Sequence, residues 1–276
     1  MFRIPIIYIV AGKDDLKLQI YNNVKHAIPE CLKKDYAYCG QGLLQLPLMD
    51  DSDEYAYVVE MSKKHNLHAT PRERSIYTKQ EEEQCEFFML SLFTPLENNG
   101  VALHNFGTTF DSDCSYCNTR KKLIGSALIE RNFIKHKDIV LLSNSIVAVS
   151  ESLKNVMVEN KFTGIDYFHE IKDYKGRYMD KYYCIAPSDN ILQPMHNETW
   201  LIPWEEEKIC GHSQFYLFSN PKYYYKDLKD AKDFNYSMET DCGIDGNRFI
   251  IISKKVRDTL RKHKFRAWFV PVDIIK

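Results

Sequence analysis

No stretch of this chain approaches the roughly 18 consecutive apolar residues a membrane-crossing helix needs, so no transmembrane helix is expected. Charge of one sign is lacking too. The chain has 37 basic and 38 acidic side chains, a formal net charge of -1, and no global pull toward nucleic acid or an anionic membrane follows. Phosphate-cradling loops are missing: Gly40-Gln41-Gly42 is too short for the dinucleotide fingerprint, and no Gly-rich loop ends in Gly-Lys-Ser or Gly-Lys-Thr. Neither a Gly-x-Ser-x-Gly nucleophile elbow nor a His-Glu-x-x-His array occurs. His65 and His68 stand three apart without a carboxylate ladder. An enzyme would have to assemble dispersed residues by folding, and the sequence leans away from catalysis.

The eight cysteines are too irregularly spaced for a disulfide scaffold, which points to a reducing cytoplasm and to thiols or metal ligands. The N-terminal stretch has an apolar run of only about seven residues, interrupted at its start by Pro5, so residues 1–11 read as a first β-strand rather than a signal peptide.

What the chain does have is a segment that occurs twice. Residues 146–171 and 249–274 align at an offset of 103, setting Val147 against Ile250, Val149 against Ile252, Ser150 against Ser253, Leu153 against Val256, Met157 against Leu260 and Lys161-Phe162 against Lys264-Phe265. Each copy runs from an apolar extended stretch through a serine into an amphipathic stretch, then into a run rich in aromatic and β-branched residues. The serine hydroxyl suits an N-cap, because it can accept from an orphan backbone N–H in the first helical turn. His169, bracketed by Asp166 and Glu170, aligns with Val272, which argues against a catalytic histidine there. The expected fold is α+β, with mixed or antiparallel sheets, a duplicated strand–helix–strand unit and an aromatic-rich irregular insert.

Along the chain, an opening strand is followed by a helix over residues 16–28, where Leu16, Ile20, Val24 and Ile28 recur every fourth position. The acidic run Asp50–Glu54 reads as a solvated turn before a strand at Tyr55–Val59, since it lacks the ligand ladder of a calcium loop. Pro71 argues against a continuous helix through residues 65–75. Pro95 and Asn98-Asn99-Gly100 punctuate the sequence. They place a boundary near residue 100, between a small α/β module (1–100) and an α+β domain (101–276). The insert between the two copies, Tyr174–Met238, reads as irregular strands and long loops broken by Pro187, Pro194, Pro203 and Pro221.

Cys114-Ser115-Tyr116-Cys117 is the motif with definite chemical content, because two thiolates at this spacing can hold one tetrahedral zinc. Cys210 and Cys242 each precede a glycine, which lets a ligand turn close tightly. A structural zinc held by Cys114, Cys117, Cys210 and Cys242, with His212 or Cys184 as substitutes, stands beside two alternatives: reduced non-ligating thiols and a redox or nucleophilic cysteine.

The chain is rich in aromatics, with 18 Tyr, 15 Phe and 3 Trp. Such rings fill cores or anchor protein-binding patches. Tyr182, Tyr183, Trp200, Trp204, Tyr223 and Tyr224 in the insert are the candidate partner-binding residues. Tyr182-Tyr183 and Tyr223-Tyr224-Tyr225 are the hardest clusters to bury, since consecutive side chains on a strand face opposite sides.

The repeated pattern resembles the immunity proteins of bacterial polymorphic toxin systems and related families with paired Cys-x-x-Cys-Gly motifs. Its matching pieces are Val147–Leu153 with Phe162–Ile165, Ile250–Val256 with Phe265, and Cys114–Cys117. The chain departs from that pattern at Cys242-Gly243, where the second pair is incomplete, and at Asn118, which stands where glycine is expected. Covering about residues 110–276, the resemblance implies a cytoplasmic, non-enzymatic protein that binds and blocks a cognate toxin.

Overall fold

The computed structural model describes residues 2–10, 14–28, 43–49, 51–92, 109–111, 122–124, 126–129, 134–141, 146–173, 175–188, 190–199, 201–203, 214–217, 219–241 and 248–276. The fold is α+β, with six helices among the described residues and several sheets in which antiparallel pairs dominate. No helix among them is long and apolar enough to cross a membrane. Two compact units divide at Glu83/Gln84.

The first unit carries β1 (Phe2–Val10), α1 (Asp14–Val24), β2 (Leu43–Pro47), α2 (Asp53–Lys64), β3 (His68–Ile76) and α3 (Lys79–Glu82). β1 is the central strand, antiparallel to β2 and β3. Ile7 and Ile9 on β1 are buried, as are Leu44 and Leu46 on β2, the two-residue period of a strand with one face on a core. The strand expected at Tyr55–Val59 is instead part of α2. Ser52 caps this helix by accepting from the Tyr55 N–H, Asp53 and Glu54 occupy its first turn, and Lys63 and Lys64 its last. That charge order favours the helix macrodipole and outweighs the β-propensity of the Tyr-Val-rich run. The acidic stretch is therefore largely the start of a helix, where Glu54 also meets His26 at 2.8 Å.

The second unit carries β4 (Phe87–Ser91), β5 (Thr109–Asp111), β6 (Lys122–Ile124), β7 (Ala127–Leu128), β8 (Ile139–Leu141) and β9 (Val147–Ser150). It continues with α4 (Glu151–Glu159), β10 (Ile165–Lys172), β11 (Tyr178–Pro187), β12 (Leu201–Pro203), β13 (Gln214–Leu217) and β14 (Lys222–Tyr224). The chain closes with α5 (Tyr225–Leu228), β15 (Phe234–Asp241), β16 (Arg248–Ser253), α6 (Lys254–Lys262), β17 (Trp268–Pro271) and β18 (Asp273–Ile275). One sheet has the order β7-β10-β11-β9-β8 and another β12-β13-β15-β16-β4-β17, while β14-β18 and β5-β6 form two-stranded pairs. β4 thus belongs with the second unit, earlier than the boundary expected near residue 100. Its side-by-side pairing with β16 and β17 outweighs the local punctuation at Pro95, which lies outside the described residues. The insert is also more regular than its prolines suggest, since it contains the ten-residue β11.

The two aligned segments match at their helix caps down to single hydrogen bonds. Ser150 and Ser253 both stand at extended φ/ψ (-69°, 161° and -72°, 159°) and accept from the N–H three residues on, Leu153 and Val256. Each serine is held from behind by an aspartate. The Ser150 N–H and Oγ donate to Asp138 O and Oδ1 at 2.8 and 2.9 Å, and those of Ser253 to Asp233 O and Oδ1 at 3.0 and 2.7 Å. Both helices end in a Schellman turn at the shared Lys-Phe pair. Lys161 and Lys264 take left-handed φ values of 49° and 60°, and the Phe162 and Phe265 N–H groups reach back to Met157 O and Leu260 O.

In each case the strands before and after the helix are parallel with one strand between them, a split β-α-β arrangement. The intervening strand is β11 between β9 and β10, and β4 between β16 and β17. One slot is therefore filled from downstream in the chain and the other from upstream. Register matches as well: Val149 faces Tyr183 and Ile252 faces Phe88, with Lys154 Nζ 3.5 Å from the Tyr183 ring centroid and the Arg257 guanidinium 4.3 Å from that of Phe88.

Val147, Val149, Leu153, Met157 and Phe162 from one segment pack in a single core with Ile250, Ile252, Val256 and Leu260 from the other. The reverse face of each sheet has its own smaller cluster, around Ala148 and Ile171 in one and around Ile251 and Tyr223 in the other. The first segment also meets β15 at Gly164 (φ 78°), where a β-carbon would run into the Phe234 carbonyl. Beside it Thr163 accepts the Phe234 N–H and donates its own N–H and hydroxyl to Asp233.

Candidate protein-binding surface

The Tyr223-Tyr224-Tyr225 triplet spans the end of β14 and the start of α5, and strand alternation divides its work. Tyr223 turns inward and is completely buried, packed with Leu192, Met195, Leu228, Ile251 and Val272. It is therefore a core residue, a correction to its place among the partner-binding candidates. Burial first, and the neighbouring Glu239 second, push its phenol well above the ordinary range, and its hydroxyl has no partner among the described residues. Glu239 accepts the Met195 N–H at 2.7 Å through Oε1, its Oε2 has no partner among the described residues, and burial raises its pKa.

Tyr224 and Tyr225 point outward, 39% and 55% exposed. With Lys226, Ile275 and Lys276 they line an open groove of about 580 Å³. The parallel β14–β18 pair, with Tyr224 opposite Ile275, brings these residues together. Tyr224 is the better fixed ring. His196 meets it edge-on at 4.7 Å, the Lys226 ammonium lies 5.0 Å from its centroid, and His196 Nε2 is 3.0 Å from its hydroxyl. Because His196 Nδ1 accepts the Glu198 N–H, Nε2 carries the proton of the neutral ring and donates to Tyr224. A Lys222–Glu198 ion pair at 3.2 Å links the strand to the same loop. The result is an anchored aromatic with a mobile-charge rim, chemistry suited to contact rather than bond making.

The remaining candidates disperse. Tyr182 and Tyr183 lie on opposite faces of β11 and are both half-buried. Tyr183 packs against the shared core beneath Lys154, while Tyr182 packs on the smaller cluster and accepts the His136 N–H at 3.1 Å. Neither lines the groove. Trp200 and Trp204 lie outside the described residues, as do Cys114, Cys117, Cys210, Cys242 and His212. Cys184 is buried among Ala148, Met179 and Ile171, and burial drives its thiol far above the usual range. Among the described residues no group of three His, Cys, Asp or Glu side chains could hold a metal ion. Tyr225 was named in the sequence only as part of the hard-to-bury triplet and not as a candidate, and His196 and Lys226 gave no signal of their own.

No family model matches this chain, and no curated protein matches it.

Proposed function

We propose that this chain is a non-enzymatic protein-binding module, an immunity-type protein that neutralises a cognate bacterial toxin by covering it. The observation that carries the reading is the Tyr224–Tyr225 groove. Two outward tyrosines, one braced by His196 and Lys226, present rigid apolar area next to cations. Tyrosines that are ordered before binding lose little conformational entropy on contact, which is why such rings serve as anchors. The resemblance of the strand–Ser–helix–Lys-Phe pattern to toxin immunity proteins supplies the class of partner, and a cytoplasmic setting follows from it.

The test is capture of the toxin from a lysate of the native organism with the tagged chain, followed by calorimetric titration of the purified chain into the captured protein. The proposal expects one saturable site, weakened at least about tenfold in Tyr224→Ala/Tyr225→Ala, the scale of a hot-spot loss. Absence of binding by the unaltered chain, or full binding by the double variant, would overturn it.

A further inference from the structure

Glu239 is a buried carboxylate on β15, at the point where that strand bulges. Tyr236 pairs with Ile250 and Thr240 with Arg248, so Ser237, Met238 and Glu239 stand against Phe249 alone. Side chains hold the bulge in shape. The Ser237 hydroxyl accepts the Phe249 N–H at 3.0 Å and donates to Glu239 O at 2.6 Å. Arg248 Nη1 donates to Ser237 O and Met238 O at 2.7 and 2.6 Å. Met238 is turned out to solvent and Glu239 turned in. Bulges re-aim side chains, and the one aimed inward here is an acid.

Its target is the segment 190–199, which crosses from β15 to β14. At one end the Leu192 N–H donates to Tyr236 O at 2.9 Å, and Asn190 O accepts the Tyr236 N–H at 3.0 Å. At the other, the His196 N–H donates to Lys222 O at 2.7 Å, and Thr199 Oγ1 accepts the Lys222 N–H at 2.9 Å. Between these anchors the Met195 N–H donates to Glu239 Oε1 at 2.7 Å. Met195 is buried and packs with Tyr223, so without that carboxylate its N–H would be an orphaned buried donor. The next residue is His196, whose ring meets Tyr224 edge-on and whose Nε2 donates to the Tyr224 hydroxyl.

We infer that Glu239 is a positioning residue of the groove: by fixing Met195 it fixes the backbone of His196, and so holds Tyr224 in the orientation that meets a partner. The inference rests on the protein-binding role proposed above and adds to it a residue that does not line the groove. Two features favour this over simple packing. An apolar side chain of similar size would fill a buried site without the cost of desolvating an acid, and that cost is visible in the raised pKa, which the Met195 hydrogen bond and the Arg248 charge draw back only in part. The acid therefore stands there for the bond it makes. A charged acceptor also grips an N–H more firmly than a neutral one, and a ring held in place beforehand loses less freedom on contact.

The experiment reads the His196 tautomer by imidazole nitrogen NMR of the full chain at about pH 8, where histidine is neutral, beside calorimetry with the captured toxin. The unaltered chain shows the Nε2–H tautomer. Glu239→Leu mixes the two tautomers and weakens toxin binding about tenfold. Glu239→Gln keeps a neutral acceptor at the same reach, so it keeps the tautomer and stays within about threefold. Glu239→Asp keeps the charge but falls one methylene short of Met195. It behaves as a milder Glu239→Leu, and its ranking below Glu239→Gln decides the matter if the leucine variant does not fold. In a His196→Ala background Glu239→Leu costs less than about a further twofold, because its effect runs through a ring already removed. An unchanged tautomer in folded Glu239→Leu and Glu239→Asp, or an undiminished effect of Glu239→Leu in His196→Ala, overturns the inference. If the unaltered chain binds no toxin, the protein-binding role falls, and the tautomer series still supports or overturns the link from Glu239 to Tyr224.

Discussion

Two segments of this chain share a backbone plan and differ in what they show to solvent. Around α4 the outward positions carry Glu151, Ser152, Asn155 and Glu159, while around α6 they carry Lys255, Arg261 and Lys262. The strand pairs running parallel at the far end share one inward rung, Ala127 with Ile171 in one and Tyr223 with Ile274 in the other, and in the second pair the next rung, Tyr224 with Ile275, opens onto the groove. Inside, the two are nearly interchangeable, with matching serine caps, aspartate braces, Schellman turns and cation–ring contacts. What the fold needs is therefore held in common, and what differs is available for recognition.

Substitutions can break or sharpen that comparison. The largest effect is expected at Gly164, where alanine combines a left-handed φ with collision against the Phe234 carbonyl. A loss of about 3 kcal/mol or more in urea unfolding is expected. Next comes Arg257→Ala. This side chain is fully buried over Phe88, and its removal should cost about 3 kcal/mol through lost packing and cation–π contact. The matching Lys154→Ala should cost less than about 1 kcal/mol, because that ammonium sits at a part-exposed site. Equal losses would show that burial does not set the two contacts apart.

Asp233→Ala removes the acceptor for Ser253 Oγ, for the Thr163 N–H and hydroxyl and for Lys255. About 2 kcal/mol is expected, roughly twice the cost of Asp138→Ala, which serves mainly Ser150. This loss should depend on pH. Burial pushes the Asp233 carboxyl upward, but the Ser253 and Thr163 hydrogen bonds and the Lys255 charge outweigh it, so its pKa lies below the usual value. Its contribution is complete above the unfolded pKa near 4 and drains away as pH falls through the lower folded value. The gap between Asp233→Ala and the unaltered chain should accordingly narrow below about pH 4 in acid titrations followed by thermal melting. Smaller still, Ser150→Ala and Ser253→Ala should each cost about 1 kcal/mol as lost N-caps.

Local signals made much of the scaffold legible. The opening strand, α1 and the two capping serines are encoded by residues close in sequence, and so is the alternation that buries Val147 with Val149 and Ile250 with Ile252. What escaped depends on distant pairing. β4 joins β16 and β17 far along the chain, and nothing around Phe87–Ser91 announces that choice. The Tyr55–Val59 run was misread because its β-forming residues spoke louder than the Ser52 cap before them. For the candidate site, alternation implied that adjacent tyrosines would face opposite ways. Only the pairing of β14 with β18 decides that Tyr223 goes in and Tyr224 out.

The most direct test of the division between a scaffold sheet and a binding groove is survival of cells that co-produce the chain with the cognate toxin proposed above. Tyr178 on β11 is the control, 51% exposed with Lys172 over its ring but in the sheet of the first segment, away from the groove. The account predicts that Tyr224→Ala/Tyr225→Ala abolishes protection while Tyr178→Ala preserves it, at equal soluble protein levels. Protection that survives the double substitution, or that fails only with Tyr178→Ala, would contradict it.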